Sequence, residues 1–551
     1  MITPFEISDR FTDAYAGLDP NGATIAGIDA GREHLSTDYS PEGHQARTDL
    51  FRTTRDELAR HLDHPDEPQA FAATVLTGWL EERLLEAEHR KWSWDLNHTF
   101  SPFQQARDVF DVMHKGDPAA WEAITARLEA FPSTLEGYAR SLSVGIAAGE
   151  VVARRQAESV LEQAEEAAAE DSRFLALSGE AAAVGADPDA VARAAELAMS
   201  ACRRLADWLR SDYLPVARQS DAVGVDRYLM GTDQFLGMRI DPIETYEWGW
   251  SELHRLMGEM KRTAAEVDSS MTLDEIVTLL DNDPDRSAAT RQEFVDFVQG
   301  VQQQAIAQLD GVHFDVPEQL KTITVNIAPP GGALGAWYVG PSEDGSRSGS
   351  IWYAPGERER LPYWQEVSTA YHEGFPGHHL QAGTAVLLRE KLSRAHRMLI
   401  WYAGAGEGWA LYAERLMDEL GLFEKPEYRL GLLASQLFRA ARVVVDIGCQ
   451  LELAIPGDAP LHAGDTWGYR QAVDYMENIG LTPHDVSESE VKRYLGWIGQ
   501  AISYKVGERE ILDIRDDAMR RRGAAFDRKD FHRRMLEAGA IRLDQLRQVM
   551  S

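Results

Sequence analysis

The chain has few cysteines and no long apolar run. Its two cysteines, Cys202 and Cys449, are too few and too far apart in sequence to form a disulfide framework. No stretch reaches the 18 or so apolar residues of a membrane span, and the first residues lack the basic and apolar regions of a secretory signal. These features predict a cytoplasmic protein.

Basic residues are scarce relative to acidic ones. The sequence has 56 Lys and Arg against 89 Asp and Glu, which gives a formal net charge of −33. Such a surface repels phosphate backbones and anionic lipid, so neither nucleic acid nor a membrane is an expected partner. Apolar residues make up 44% of the chain and charged residues 26%, which is ordinary for a globular protein with a large core.

Helical periodicity dominates the chain. Residues 1–45 are rich in Gly, Asp, Pro and Ser without sustained periodicity, which predicts an irregular N-terminal arm. Apolar residues three and four positions apart predict helices over 49–62, 68–92, 119–131, 150–170, 187–209, 241–267 and 428–453. We therefore expect a mainly α protein, with one helical lobe over 46–310 and a second over 311–551 in one continuous body.

A short stretch with strand character interrupts the helical pattern. T-I-T-V-N-I after Lys321 alternates apolar and polar residues, and S-I-W-Y-A at 350–354 follows a run rich in Gly and Pro. This pattern predicts a small β element. We expect residues 350–354 to be an edge strand, where an extended ligand could pair with the sheet, or else part of a hairpin that covers the core.

The densest group of candidate metal ligands follows this β element. Residues 370–381 read A-Y-H-E-G-F-P-G-H-H-L-Q, and G-A-G-E-G-W-A-L-Y-A-E begins at residue 404. In the zinc-binding pattern H-E-x-x-H, the two histidines lie one helical turn apart, but here Pro376 occupies the second position. Proline interrupts a helix, so a shared metal requires residues 374–377 to bulge out and the helix to resume near His378.

These motifs resemble those of known families. H-E-G-F-P-G-H-H-L-Q, E-G-W-A-L-Y-A-E and G-Q-A-I-S-Y-K-V-G together resemble the bacterial family called domain of unknown function 885. The first motif is also similar, more distantly, to those of Taq-type carboxypeptidases and thimet oligopeptidases. The resemblance implies a large, two-lobed, zincin-like helical fold with a central channel and a small β element beside the metal helix.

The resemblance also implies a set of metal ligands. His372 is the first ligand, His378 the second with His379 as the alternative, and Glu407 the third. Glu414, two helical turns after Glu407, is a candidate to support a ligand from behind. Glu373 corresponds to the general base that takes a proton from water.

Two later motifs suggest further site residues. In zincin peptidases a tyrosine commonly stabilises the oxyanion, and Tyr504 is the candidate here. Lys505 or Arg493 could bind a substrate carboxylate. Within R-A-A-R-V-V-V-D, Arg442 is expected to pair with Asp446, with substrate binding as the alternative. The chain departs from the family pattern at two positions, since Gln450 replaces a usual histidine and Ile498 a usual proline.

The expectation is a Zn²⁺-dependent metallopeptidase that hydrolyses short peptides, of carboxypeptidase, dipeptidase or oligopeptidase type. One alternative is a zinc-dependent amidase acting on a non-peptide small molecule. Another is a non-catalytic helical scaffold that binds metal. The sequence does not determine the number of subunits, and a homodimer is compatible with it.

Overall fold

The computed structural model describes residues 2–28, 32–328, 335–341 and 347–551. The chain divides into two compact units. The first comprises Met1–Met230, Ser393–Leu399 and Glu488–Ile498, and the second comprises Gly231–Leu392, Ile400–Ser487 and Gly499–Ser551. These divisions do not coincide with the expected boundaries at residues 45 and 310.

The fold is mainly α, as the periodicity predicts. In chain order the α-helices of the described residues are α1 (Pro4–Leu18), α2 (Pro20–Ile25), α3 (Pro41–Leu58), α4 (Glu67–Glu88), α5 (Pro102–Val112), α6 (Pro118–Ala148), α7 (Arg154–Ala167), α8 (Arg173–Ala183), α9 (Pro188–Trp208), α10 (Val225–Leu236), α11 (Pro242–Val267), α12 (Leu273–Asn282), α13 (Arg291–Leu309), α14 (Glu366–Glu373), α15 (His378–Leu387), α16 (Arg394–Met398), α17 (Ala403–Glu419), α18 (Pro426–Leu451), α19 (Tyr469–Asn478), α20 (His484–Gly496), α21 (Ser503–Arg522), α22 (Arg528–Ala538) and α23 (Leu543–Met550).

The N-terminal residues are not the irregular arm that their composition suggested. Thr3 caps α1 in a capping box with Glu6, and Pro4 occupies the first helical position, where its missing N–H costs nothing. Asp19 caps α2 in the same manner, by accepting from Gly22 N. Phe11 of α1 then packs edge-on against Trp79 of α4, with ring centroids 5.9 Å apart. Local capping and this apolar contact together explain the helices.

In the first unit, α6 is the largest departure from the predicted boundaries. A helix was predicted over 119–131, yet the helix continues through Pro132 to Ala148. A proline inside a helix removes one backbone hydrogen bond. Beyond it, Leu135, Tyr138 and Leu142 are all at most 3% exposed in the same core, so burial of this face offsets that loss.

The second unit carries two small sheets. Strands β1 (Ser287–Ala288) and β5 (Leu361–Pro362) pair antiparallel. Strands β2 (Thr324–Ile327), β3 (Gly335–Val339) and β4 (Ser350–Ala354) form a second sheet in the order β2-β4-β3. β4 is thus the central strand and not the expected edge, because β2 pairs with it in parallel on one side and β3 antiparallel on the other.

The helices of the second unit pack around α18. Gly249 of α11 faces Val443 of α18 so closely that a Cβ there would lie 2.7 Å from Val443 Cγ1. Most of α18 is buried, from Leu430 to Gln450. No helix within the described residues is both long and apolar enough to cross a membrane.

Candidate metal centre

The interrupted helix bends as the zinc hypothesis requires. α14 ends at Glu373, and α15 begins at His378 after a four-residue loop in which the Phe375–Pro376 peptide bond is cis. The loop is held from two sides. Gln302 accepts from Phe375 N at 2.6 Å, and the indole of Trp409 donates to Pro376 O at 2.9 Å.

Gly377 permits the closest contact in this loop. A Cβ at this position would lie 2.0 Å from His372 O and 2.5 Å from Tyr371 O. The loop can therefore fold back on the end of α14 only if this residue is glycine. The fold-back brings the imidazole rings of His372 and His378 to 4.8 Å between centroids, nearly perpendicular to one another.

Glu407 of α17 completes a cluster with the two histidines. Its Oε2 lies 3.3 Å from His372 Nε2 and 3.4 Å from His378 Nε2, and one ligand atom from each of the three residues lies within 4.8 Å of the others. Two ligands of a tetrahedral zinc ion at its usual bond length of 2.0–2.1 Å are about 3.4 Å apart. Glu407 Oε2 is buried without a hydrogen-bond partner among the described residues. The residues present therefore fit a zinc ion.

Glu414 fixes the orientation of His372. Its Oε1 accepts from His372 Nδ1 at 2.6 Å, and its Oε2 accepts from Ser368 Oγ at 2.6 Å. The carboxylate is fully buried. Burial alone would raise its pKa, but these hydrogen bonds hold the pKa of Glu414 below its usual value. A proton kept on Nδ1 leaves the Nε2 lone pair of His372 available to a metal.

Glu373 lies beside the cluster and belongs to the same cavity. It is 9% exposed, and burial raises the pKa of its carboxyl group above the usual value. The cavity has a volume of about 530 Å³. Its walls include His372, Glu373, His378, Glu407, Trp337, Tyr338, Trp401, Arg439, Arg442 and Tyr504.

Comparison with known proteins places the chain in a family. The family model described as "Bacterial protein of unknown function (DUF885)" matches residues 20–550. The chain belongs to the DUF885 family. No curated protein matches it.

Two solved structures share the fold of this DUF885 protein. One is a "putative lipoprotein" from Colwellia psychrerythraea, with a TM-score of 0.86 and 21% identity over 99% of this chain and 98% of the other. The second, a "putative lipoprotein of unknown function" from Shewanella oneidensis, has a TM-score of 0.74 and 18% identity over the full length of both chains.

His379, the alternative second ligand, is directed away from the cluster. Its Nδ1 lies 3.1 Å from Tyr338 Oη and its Nε2 lies 2.9 Å from Leu320 O. Both ring nitrogens are therefore engaged in contacts outside the cluster. The cluster is formed by His378 and not by His379.

The strand beside the centre is β3. Trp337 and Tyr338 of this edge strand line the cavity, whereas the central strand β4 was expected in that place. Trp337 is 40% exposed and stacks on Trp352 of β4 at 6.4 Å between centroids. The β element of this DUF885 protein thus lies beside the cluster of His372, His378 and Glu407, but a different strand from the expected one lines the cavity.

Neither of the two predicted substrate-binding cations is among the residues that line the cavity. The Lys505 ammonium is 1% exposed and donates to Glu252 at 2.9 Å, to Gln436 at 2.7 Å and to Glu508. Arg493 belongs to the first unit, where it pairs with Glu490 at 2.8 Å. Tyr504, by contrast, does line the cavity.

Two arginines of α18 line the cavity instead. Arg442 was expected to pair with Asp446, with substrate binding as the alternative, and Arg439 was not among the predicted site residues. The sequence does contain a pattern that points to these residues. Two arginines three positions apart share one face of a helix that is otherwise strongly apolar.

Proposed function

We propose that this protein is a zinc-dependent metallopeptidase that hydrolyses short peptides. His372, His378 and Glu407 would hold the zinc ion, which on binding would supply a Lewis acid for a carbonyl oxygen and for water. The observation that carries the proposal is the convergence of these three ligand atoms within 4.8 Å at the wall of an open cavity.

The remaining residues of the cavity fit the steps of peptide hydrolysis. Glu373 follows His372 directly, and its raised pKa suits a carboxylate that accepts a proton from water and donates it to the leaving nitrogen. Tyr504 lines the same cavity, and its hydroxyl group would donate to the oxyanion that develops on the substrate carbonyl.

An extended peptide is the substrate that the surroundings favour over a compact small molecule. Within the described residues β3 is an edge strand, and it lies at the cavity wall, so its outer backbone groups can pair with an extended chain. Trp337 and Trp401, which are 40% and 47% exposed, offer apolar faces to the side chains of such a peptide.

The experiment is to measure the metal content of the purified protein and its turnover of a panel of short peptides and acyl amides. Glu373→Gln should retain zinc and lose at least about 100-fold in turnover, because the general base is removed. Glu390→Gln, an exposed position after α15, is the matched control and should behave as wild type. Zinc binding without turnover of any peptide would contradict the peptidase proposal and favour a metal-binding scaffold.

A further inference from the structure

Among the residues that the structure describes, Arg439 and Arg442 are the two arginines of the cavity wall. They lie on α18, three positions apart, so their side chains leave the same face of that helix. Arg442 is buried and Arg439 half-buried, and both lie beside the cluster of His372, His378 and Glu407. Cations in so enclosed a place are uncommon in proteins, so their presence at this cavity calls for an explanation.

The guanidinium of Arg442 is held between aromatic rings. Its Cζ lies 4.2 Å from the ring centroid of Phe438 and 4.8 Å from that of Tyr504. These cation–π contacts keep the guanidinium at the cavity wall, and a guanidinium is a planar fork of N–H donors whose geometry matches a carboxylate.

Arg439 has donor capacity that the protein leaves unused. Its Nη1 donates to Ser435 O at 3.3 Å and also to Ser435 Oγ. Its Nε is buried and has no hydrogen-bond partner, and no carboxylate within the described ranges forms a salt bridge with it. A buried donor without a partner costs free energy, so a ligand that satisfies it is favoured.

The charges of the cavity also favour an anionic ligand. The guanidiniums of Arg439 and Arg442 balance the carboxylates of Glu373 and Glu407 on the cavity wall. A divalent cation would therefore leave a net positive charge here even when the buried carboxylate of Glu414 behind His372 is counted, although the chain as a whole carries −33. Such a field attracts a negatively charged group into this cavity.

We propose that Arg439 and Arg442 bind a carboxylate of the peptide substrate, in the first place its C-terminal carboxylate, so that the enzyme removes residues from the C-terminal end. This inference rests on the proposed peptidase function and narrows its specificity. A side-chain carboxylate of an aspartate or glutamate offers the same chemistry, and the test below separates the two sources.

A competing role for Arg439 is to position Glu414. Ser435 Oγ lies 3.4 Å from Glu414 Oε2 and also accepts from Arg439, so the guanidinium is linked to the carboxylate that orients His372. In this role Arg439 would influence every substrate equally. In the proposed role it would distinguish substrates by their charge.

The experiment uses the zinc-loaded protein and three N-blocked tripeptides. The first ends in phenylalanine with a free carboxylate, the second is its C-terminal amide, and the third is an amide with glutamate in place of that phenylalanine. We expect wild type to prefer the free acid over its amide by about 10- to 100-fold in kcat/KM, the range of one charge-assisted hydrogen bond. Arg439→Gln should abolish this preference, mainly through KM, and Arg439→Lys should restore part of it.

Arg470→Gln is the matched control, because this arginine of α19 is 85% exposed and the substitution changes the net charge equally. It should retain the wild-type preference. A strong preference for the glutamyl amide over the phenylalanyl amide would identify a side-chain carboxylate as the bound group. Equal turnover of acid and amide by wild type, with an equal loss on all three peptides in Arg439→Gln, would overturn the proposal in favour of the positioning role.

Binding is measured separately from turnover. Calorimetric titration of zinc-loaded Glu373→Gln with the same peptides should show tighter binding of the acid than of the amide, and Arg439→Gln introduced into this variant should remove the difference. If wild type cleaves no peptide but this difference is found, the peptidase proposal fails and the carboxylate site stands. If peptides are cleaved but the acid and the amide bind equally, the carboxylate site fails alone.

Discussion

Replacing Gly377 with alanine should disrupt the candidate metal centre without altering any proposed ligand. An added Cβ would lie 2.0 Å from His372 O and 2.5 Å from Tyr371 O, and both of these are backbone atoms that cannot move aside by rotating a side chain. Real Cβ atoms do not approach other heavy atoms within 3.0 Å. The loop must therefore move by about 1 Å relative to α14, which carries His372.

A movement of this size should lower both the stability of the protein and its affinity for zinc. Overpacking of a buried site costs about 1–3 kcal/mol, and a clash between two backbone segments belongs at the upper end, so we expect a loss of about 3 kcal/mol. Zinc sites tolerate deviations of about 0.2 Å in ligand distance. Because His378 follows Gly377 directly, zinc affinity should fall by more than about 100-fold, beyond the loss caused by changing a supporting residue.

The assays are denaturant unfolding followed by tryptophan fluorescence and zinc competition with a chelator. Gly457→Ala is the control, because nothing lies within 4 Å of a Cβ built at Gly457, and both measurements should remain at the wild-type values. If Gly377→Ala binds zinc as tightly as wild type and is equally stable, the contact between the loop and α14 does not determine the geometry of the centre.

Two further predictions concern buried groups. Glu414→Gln keeps the shape of the side chain but removes the charge that His372 Nδ1 faces, so zinc affinity should fall by about 10- to 100-fold in the chelator competition; an unchanged affinity would mean that Glu414 has no part in metal binding. Burial lowers the pKa of His532 to about 3 from its ordinary 6.5, so below about pH 6.5 the unfolded chain binds a proton that the folded protein does not. The proton bound by the unfolded chain should lower the free energy of unfolding by roughly 2 kcal/mol between pH 6.5 and pH 5. In His532→Gln the decrease over this range should be smaller by the same amount. Identical pH profiles of the two proteins would refute the lowered pKa of His532.

The interruption in the motif could be predicted from sequence because its cause is local. Pro376 and the glycines beside it are incompatible with a continuous helix, and a helix that resumes near His378 follows from the same reasoning. The sequence alone could not decide whether His378 or His379 is the second ligand of the cluster. That choice depends on Tyr338 and on Leu320 O, which lie 41 and 59 residues before His379 and contact its ring nitrogens.

The order of the strands in the sheet and the arginines of the cavity could not be predicted either, because both depend on tertiary contacts. The alternation of residues 350–354 predicts a strand, but it contains no information about which strands flank it. Lys505 and Arg439 look alike in the sequence, since each is a cation on a helix that carries another candidate site residue. Lys505 is paired with Glu252, whose helix lies about 250 residues earlier, whereas Arg439 has no such partner within the described ranges. Only tertiary contacts distinguish a structural cation from one available to a ligand.

The placement of Glu407 and Tyr504 in one cavity depends on a backbone contact between α17 and α21. A Cβ at Gly507 would lie 2.0 Å from Gly404 O, and a Cβ at Gly408 would lie 2.5 Å from Gly507 C. Glu407 stands between Gly404 and Gly408 on α17, and Tyr504 stands three positions before Gly507 on α21. Since only glycine allows two helices to approach so closely, the glycines in E-G-W and Y-K-V-G set the distance between the third proposed ligand and the proposed oxyanion donor. The same reasoning applies to Gly377 and the two histidines, so the centre is positioned by close backbone contacts as much as by the side chains that would bind the metal.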